Sequence, residues 1–121
     1  MKAKKVIVGI KGVKEALDEA KDVLKKVAKN EKVKKEVGVY FSSFEAFRKA
    51  LTPKRLELLH TIKTDNPKSI NELARITKRD IKNVADDIKY LEQIGFIEKR
   101  VGEKEIKPSI SYDMIALEIA I

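Results

Sequence analysis

Lys82, Asn83, Asp86 and Lys89 recur at helical spacing and would share one stripe of a helix, with Lys78 and Arg79 immediately before it. Lysine and arginine donate to guanine edges or to phosphates, and asparagine both donates to and accepts from adenine. Asp86 could accept from cytosine or orient a neighbouring lysine. The same stripe also reads as an ordinary solvated helix face laced with i,i+4 pairs. Two helix starts lie upstream, Thr52-Pro53 and Ser69-Ile70-Asn71-Glu72. Their free backbone N–H groups suit phosphates, with Lys54, Arg55 and Asn71 beside them; capping is the simpler role of Thr52 and Ser69. Downstream, Lys99, Arg100, Lys104 and Lys107 alternate with Glu98, Glu103 and Glu105. That segment suits either a phosphate-touching hairpin or one that only stabilises itself.

Enzyme chemistry finds no support in the same survey. His60 is the sole histidine and the chain has no cysteine, so no thiolate site or histidine pair can hold a metal. Asp86 and Asp87 are adjacent, so their side chains diverge on a helix and cannot work as a carboxylate pair. No glycine-rich phosphate loop or nucleophile elbow is present. The expectation is no catalytic residue, no metal and no cofactor.

The elements that would position these residues follow from periodicity and punctuation. Val6, Val8 and Ile10 alternate in a strand over 4–10, and Val37, Val39 and Phe41 in another over 37–42. Between them Ala16, Leu17, Ala20, Val23, Leu24, Val27 and Ala28 mark an amphipathic helix over 14–29. Ser43 caps a short helix bearing Phe44, Phe47 and Leu51. Pro53 opens helix 53–64, with Leu56, Leu58, Leu59 and Ile62 inward. Ser69 and Glu72 form a capping box for helix 70–77, with Leu73, Ala74 and Ile76 inward. Asp80 caps helix 81–94, where Ile81, Val84, Ala85, Ile88 and Leu91 face the core and Gly95 stops the helix. A hairpin follows, with its tip at Gly102-Glu103-Lys104 and its end at Pro108. Ile115, Leu117, Ile119 and Ile121 alternate in a last strand over 112–121.

Helix, capped helix, turn, helix and basic hairpin is the order of a winged helix-turn-helix, in which the third helix enters the major groove. The expected fold is α+β: residues 1–42 form a strand-helix-strand unit for dimerisation or partner binding, residues 43–108 the winged helix-turn-helix, and residues 109–121 a strand joining the N-terminal sheet under helix 14–29. The open sheet edges and the apolar chain ends lead to an expected homodimer.

Composition agrees with a basic binding protein. The chain has 121 residues, 38% charged, with a net charge of +8. That balance suits an anionic partner such as nucleic acid. Residues 1–42 carry 12 lysines against 6 acids, whereas residues 43–121 carry 15 basic against 13 acidic residues. The helical half must therefore bind through the position of its charges. Dense Lys and Glu with one Gln and no Cys is a balance seen in hyperthermophile proteins. No apolar run approaches membrane-spanning length and no signal peptide is visible, so a cytoplasmic protein with no membrane partner is expected.

The run LTPKRLELL at 51–59, SINELA at 69–74, RDIKNVADDIKYLEQIGFIEK at 79–99 and YDMIALEIAI at 112–121 resembles a family of predicted archaeal and bacterial winged helix-turn-helix transcriptional regulators, distantly MarR-like. The resemblance covers residues 37–121. It implies sequence-specific binding of double-stranded DNA as a repressor or autoregulator, with Arg79, Lys82 and Asn83 reading DNA and Lys54 and Arg55 holding phosphate. Some similar proteins look like antitoxins, which leaves an alternative in which the chain is a protein-interaction module for a cognate toxin or another protein.

Overall fold

In the computed structural model the described residues are 4–11, 13–29, 38–101, 106–119 and 121, with the side chains at 13–16 and 27 excepted. The hairpin tip with Lys104, the strand start at Val37 and the side chains of Ala16 and Val27 lie outside them. The chain mixes helices and strands. In order these are β1 (Lys5–Ile10), α1 (Val13–Ala28), β2 (Gly38–Phe41), α2 (Phe44–Ala50), α3 (Pro53–Asp65), α4 (Ile70–Thr77), α5 (Ile81–Gln93), β3 (Glu98–Val101), β4 (Ile106–Ser109) and β5 (Met114–Ile119). Two units result: residues 1–48 with 114–121, and residues 49–113. Among the described residues no helix is long and apolar enough to cross a membrane.

The first unit is built on β1, whose branched residues favour an extended, half-buried chain. β1 lies between β2 and β5 and pairs in parallel with both. The register sets Val8 beside Val39 and Leu117, and Ile10 beside Phe41 and Ile119, so these six share one face. Val6 and Val8 on the central strand are buried, whereas Leu117 and Ile119 on the edge strand are exposed. On the other face, a Cβ at Gly9 would lie 2.6 Å from Tyr40 Cδ1, so any larger residue would displace the ring from this position. The Lys11 ammonium sits 4.5 Å from that ring's centroid and pairs with Glu19, tying α1 to the end of β1. The hydrogen bond to Glu19 raises the Lys11 pKa. The helical spacing of α1 implies a buried apolar face, yet Leu17, Val23 and Leu24 are all exposed. Phe47 of α2 packs edge-on to Phe41 at 5.8 Å between ring centroids.

Side-chain and backbone caps set the helix ends of the second unit. Thr52 Oγ1 accepts from Arg55 N at 3.3 Å with Pro53 following, and Ser69 Oγ accepts from Glu72 N at 3.1 Å. α3 and α4 both end on a left-handed residue, Asn66 at φ 49° and Lys78 at φ 56°. α5 ends at Gly95, φ 98°, where Phe96 N donates to Leu91 O at 2.9 Å. This closing turn drives Phe96 inward. Leu58, Leu59, Ile62, Leu73, Val84, Ile88, Leu91 and Phe96 form the core.

Three residues expected inward are exposed instead: Leu56, Ile76 and Ile81. The buried stripe of α3 runs through Leu58, Leu59, Thr61 and Ile62, and Leu56 falls outside it. The stripe of α4 runs through Leu73 and Ala74, which leaves Ile76 to one side. Ile81 stands at the first position of α5. Pro108 does not end the hairpin but lies buried within β4, opposite Lys99. Proline is tolerated there because β4 is an edge strand of a two-stranded ribbon.

Tyr112 precedes β5 and is buried, its hydroxyl donating to Phe96 O at 2.8 Å. Burial pushes its phenol well above the ordinary value of 10.0. An unfolded chain would lose this proton above pH 10.0 while the folded chain keeps it, so stability falls as pH rises beyond that point. Tyr112→Phe is expected to cost about 1 kcal/mol at neutral pH, by orphaning the Phe96 carbonyl, and to flatten the alkaline loss. Urea unfolding across the alkaline range measures both effects. Lys78 holds a left-handed conformation that favours glycine. Lys78→Gly is therefore expected to raise unfolding stability by about 1 kcal/mol.

Candidate nucleic-acid interface

The three-residue connection Lys78–Asp80 starts the face. Its left-handed Lys78 lets Arg79 N reach back to Ala74 O at 3.1 Å, and Asp80 Oδ1 then accepts from Lys82 N at 2.7 Å to open α5. The chain leaves α4 and begins α5 with its end groups satisfied. Val84, Ile88 and Leu91 anchor α5 in the core, and this burial turns Lys82, Asn83, Asp86 and Lys89 outward. Lys78 is exposed as well. The stripe thus offers two ammonium groups and one amide to solvent, with the Asp86 carboxylate among them.

Arg55 and Arg79 are placed differently from these lysines. Each is mostly buried and turned toward Asp87 on α5. Arg55 Nε donates to Asp87 Oδ1 at 3.1 Å and Arg79 Nη2 to Asp87 Oδ2 at 2.8 Å. Side-chain exposure is only 18% at Asp87 and Arg79 and 21% at Arg55. Arg55 Nη1 also donates to the carbonyls of Lys49 and Ala50, both at 3.0 Å, and the guanidinium stacks 4.1 Å from the centroid of Tyr90. Arg55, Arg79 and Asp87 line an open cleft of about 410 Å³ together with Thr52 and Lys54 from the start of α3 and Asn83 and Asp86 from α5. Residues from two distant helix starts are therefore brought to one concavity.

The remaining candidates lie elsewhere. Ser69 is buried and its hydroxyl is occupied by the Glu72 amide, while Asn71 is exposed. In the hairpin Arg100 is exposed, Lys107 half-buried, and Lys99 pairs with Glu92 of α5 at 3.2 Å. Lys104 is outside the described residues. His60 is exposed, and among the described residues no group of three His, Cys, Asp or Glu side chains could hold a metal ion. Asp87 and Tyr90 are the site residues that sequence reasoning passed over. Their signal was position: both flank the buried stripe Val84, Ile88, Leu91, where a carboxylate needs a partner.

No curated protein matches the chain. A solved structure, that of a MarR family protein from Bacillus stearothermophilus, superposes with a TM-score of 0.47 at 14% identity, covering 81% of this chain. This chain spans 65% of that protein's chain. The model of the HVO_A0114 family matches residues 50–117, which takes in every element from α3 to the middle of β5 and more than half of the sequence, and the chain accordingly belongs to the HVO_A0114 family.

Proposed function

We propose that the chain is a sequence-specific, double-stranded DNA-binding transcriptional regulator acting as a repressor or autoregulator, with α3, α4, α5 and the β3–β4 hairpin as a winged helix-turn-helix. The observation that carries this is the outward stripe of α5. Lys82, Asn83 and Lys89 are exposed on a helix whose opposite face is fixed in the core, with Lys78 exposed just ahead of it. A helix held in this way can enter a major groove and present donors to base edges. Lys54 and Asn71 sit at the starts of α3 and α4, where backbone N–H groups suit phosphates. Arg100 of the β3–β4 hairpin would follow the neighbouring backbone.

A homodimer is part of this reading. Leu17 and Leu24 on α1, and Leu117 and Ile119 on the edge strand β5, are apolar and exposed. Pairing with a second copy would cover them and would present two recognition helices to half-sites about 34–36 Å apart or a multiple of that. The same surfaces would serve a partner protein in the interaction-module alternative.

The test begins with selection of a preferred duplex from a random-sequence pool. Lys82→Ala is expected to weaken binding to that duplex by about 1–3 kcal/mol if its contact is to a base. The logarithm of the affinity should fall against the logarithm of salt concentration with a slope of about −0.9 per phosphate contact. A flat salt response with no selected duplex would instead favour the interaction module.

A further inference from the structure

Asp87 opposes DNA binding by its charge, since it places a carboxylate on the helix assigned to the groove. Its geometry points to another role. Both of its oxygens are taken, one by Arg55 from α3 and one by Arg79 from the turn before α5. Arg55 is gripped from several directions at once: by Asp87, by the Tyr90 ring one turn further along α5, and by the carbonyls of Lys49 and Ala50. Arg79 Nη1 is buried with no hydrogen-bond partner among the described residues, so its guanidinium depends on Asp87 for neutralisation. A planar guanidinium bonded at fixed nitrogens has one orientation, unlike an ammonium on a flexible stem. The core sets which face of α5 points outward, and the cluster adds directional bonds that narrow the rotation and depth of α5 against α3.

We propose that Asp87 is a specificity-determining positioning residue: it touches no DNA, and by clamping Arg55 and Arg79 it holds α5 so that Lys82 and Asn83 meet base edges in register. The proposal rests on the DNA-binding reading of α5. It assigns Arg55 and Arg79 to the same clamp, in place of direct contacts with phosphate or base.

The sign of the effect separates this from simple electrostatics. Asp87→Asn removes a negative charge and loosens two arginines, so charge alone would strengthen binding to any duplex. Loss of positioning would weaken the selected duplex and leave or strengthen the rest. The experiment measures the affinity of the folded full chain for the selected duplex and for a scrambled duplex of the same composition, at one fixed salt concentration. Asp87→Asn is expected to lower the selected-to-scrambled ratio by about tenfold, the range of one mismatched base pair, with scrambled binding unchanged or tighter. Arg55→Lys keeps the charge but cannot bridge carboxylate, carbonyls and ring together, and should move the ratio in the same direction. It also serves where Asp87→Asn does not fold. A general loss of stability would reduce both affinities together through the active fraction, which circular dichroism and stoichiometric duplex titration register, and would leave the ratio unchanged. An unchanged or increased ratio in whichever of the two variants folds overturns the proposal. A wild-type chain that binds both duplexes equally would sink the DNA-recognition reading itself, and the positioning role with it.

Discussion

One carboxylate joins three parts of the 49–113 unit. Asp87 on α5 holds Arg55 of α3 and Arg79 of the α4–α5 connection, and through Arg55 it reaches the last carbonyls of α2. Ion pairs on open surfaces contribute little, because water and salt screen them and long side chains lose entropy. This group is different in degree: its members are about four-fifths buried and bonded at defined atoms. A mostly buried charge left without its partner is costly, so the arrangement tolerates few alternatives. Its contribution is better described as geometric definition than as stability.

The hydrophobic core complements this directional clamp. Leu58, Leu73, Val84, Ile88, Leu91 and Phe96 are fully or nearly fully buried and hold the three helices together. Apolar burial is strong but non-directional. It decides which face of α5 is buried, and bonds of fixed direction narrow the position of the helix further. Caps define where each helix begins and ends, the core supplies cohesion, and the arginine–carboxylate cluster supplies orientation. The outward stripe is then a consequence of all three.

The parallel sheet of the first unit follows other constraints. β1 is paired on both sides, so its backbone groups are satisfied and its valines are buried. β5 is an edge and keeps Leu117 and Ile119 exposed, while α1 keeps Leu17, Val23 and Leu24 exposed. An unpaired edge with apolar neighbours is a surface that another chain can complete.

Much of the second unit was legible in the sequence because its signals are local. A threonine before proline, a serine three residues before glutamate, and a glycine after an apolar stripe each act within one helical turn, and the structure shows the matching bonds at Thr52, Ser69 and Gly95. The period of the apolar residues likewise marked the core side of α5 at Val84, Ile88 and Leu91. Periodicity gives the direction of a face but not its width, which is why Leu56, Ile76 and Ile81 read as inward and lie exposed. How far a stripe is covered depends on which neighbour packs against it. The fate of the arginines was also beyond the sequence. Arg55 and Asp87 are 32 residues apart, and no local rule brings them to 3.1 Å. Read alone, Arg55 and Arg79 are free cations and Asp87 a stray anion; only the packing of α3 beside α5 turns them into a clamp, because a charge finds its partner in three dimensions.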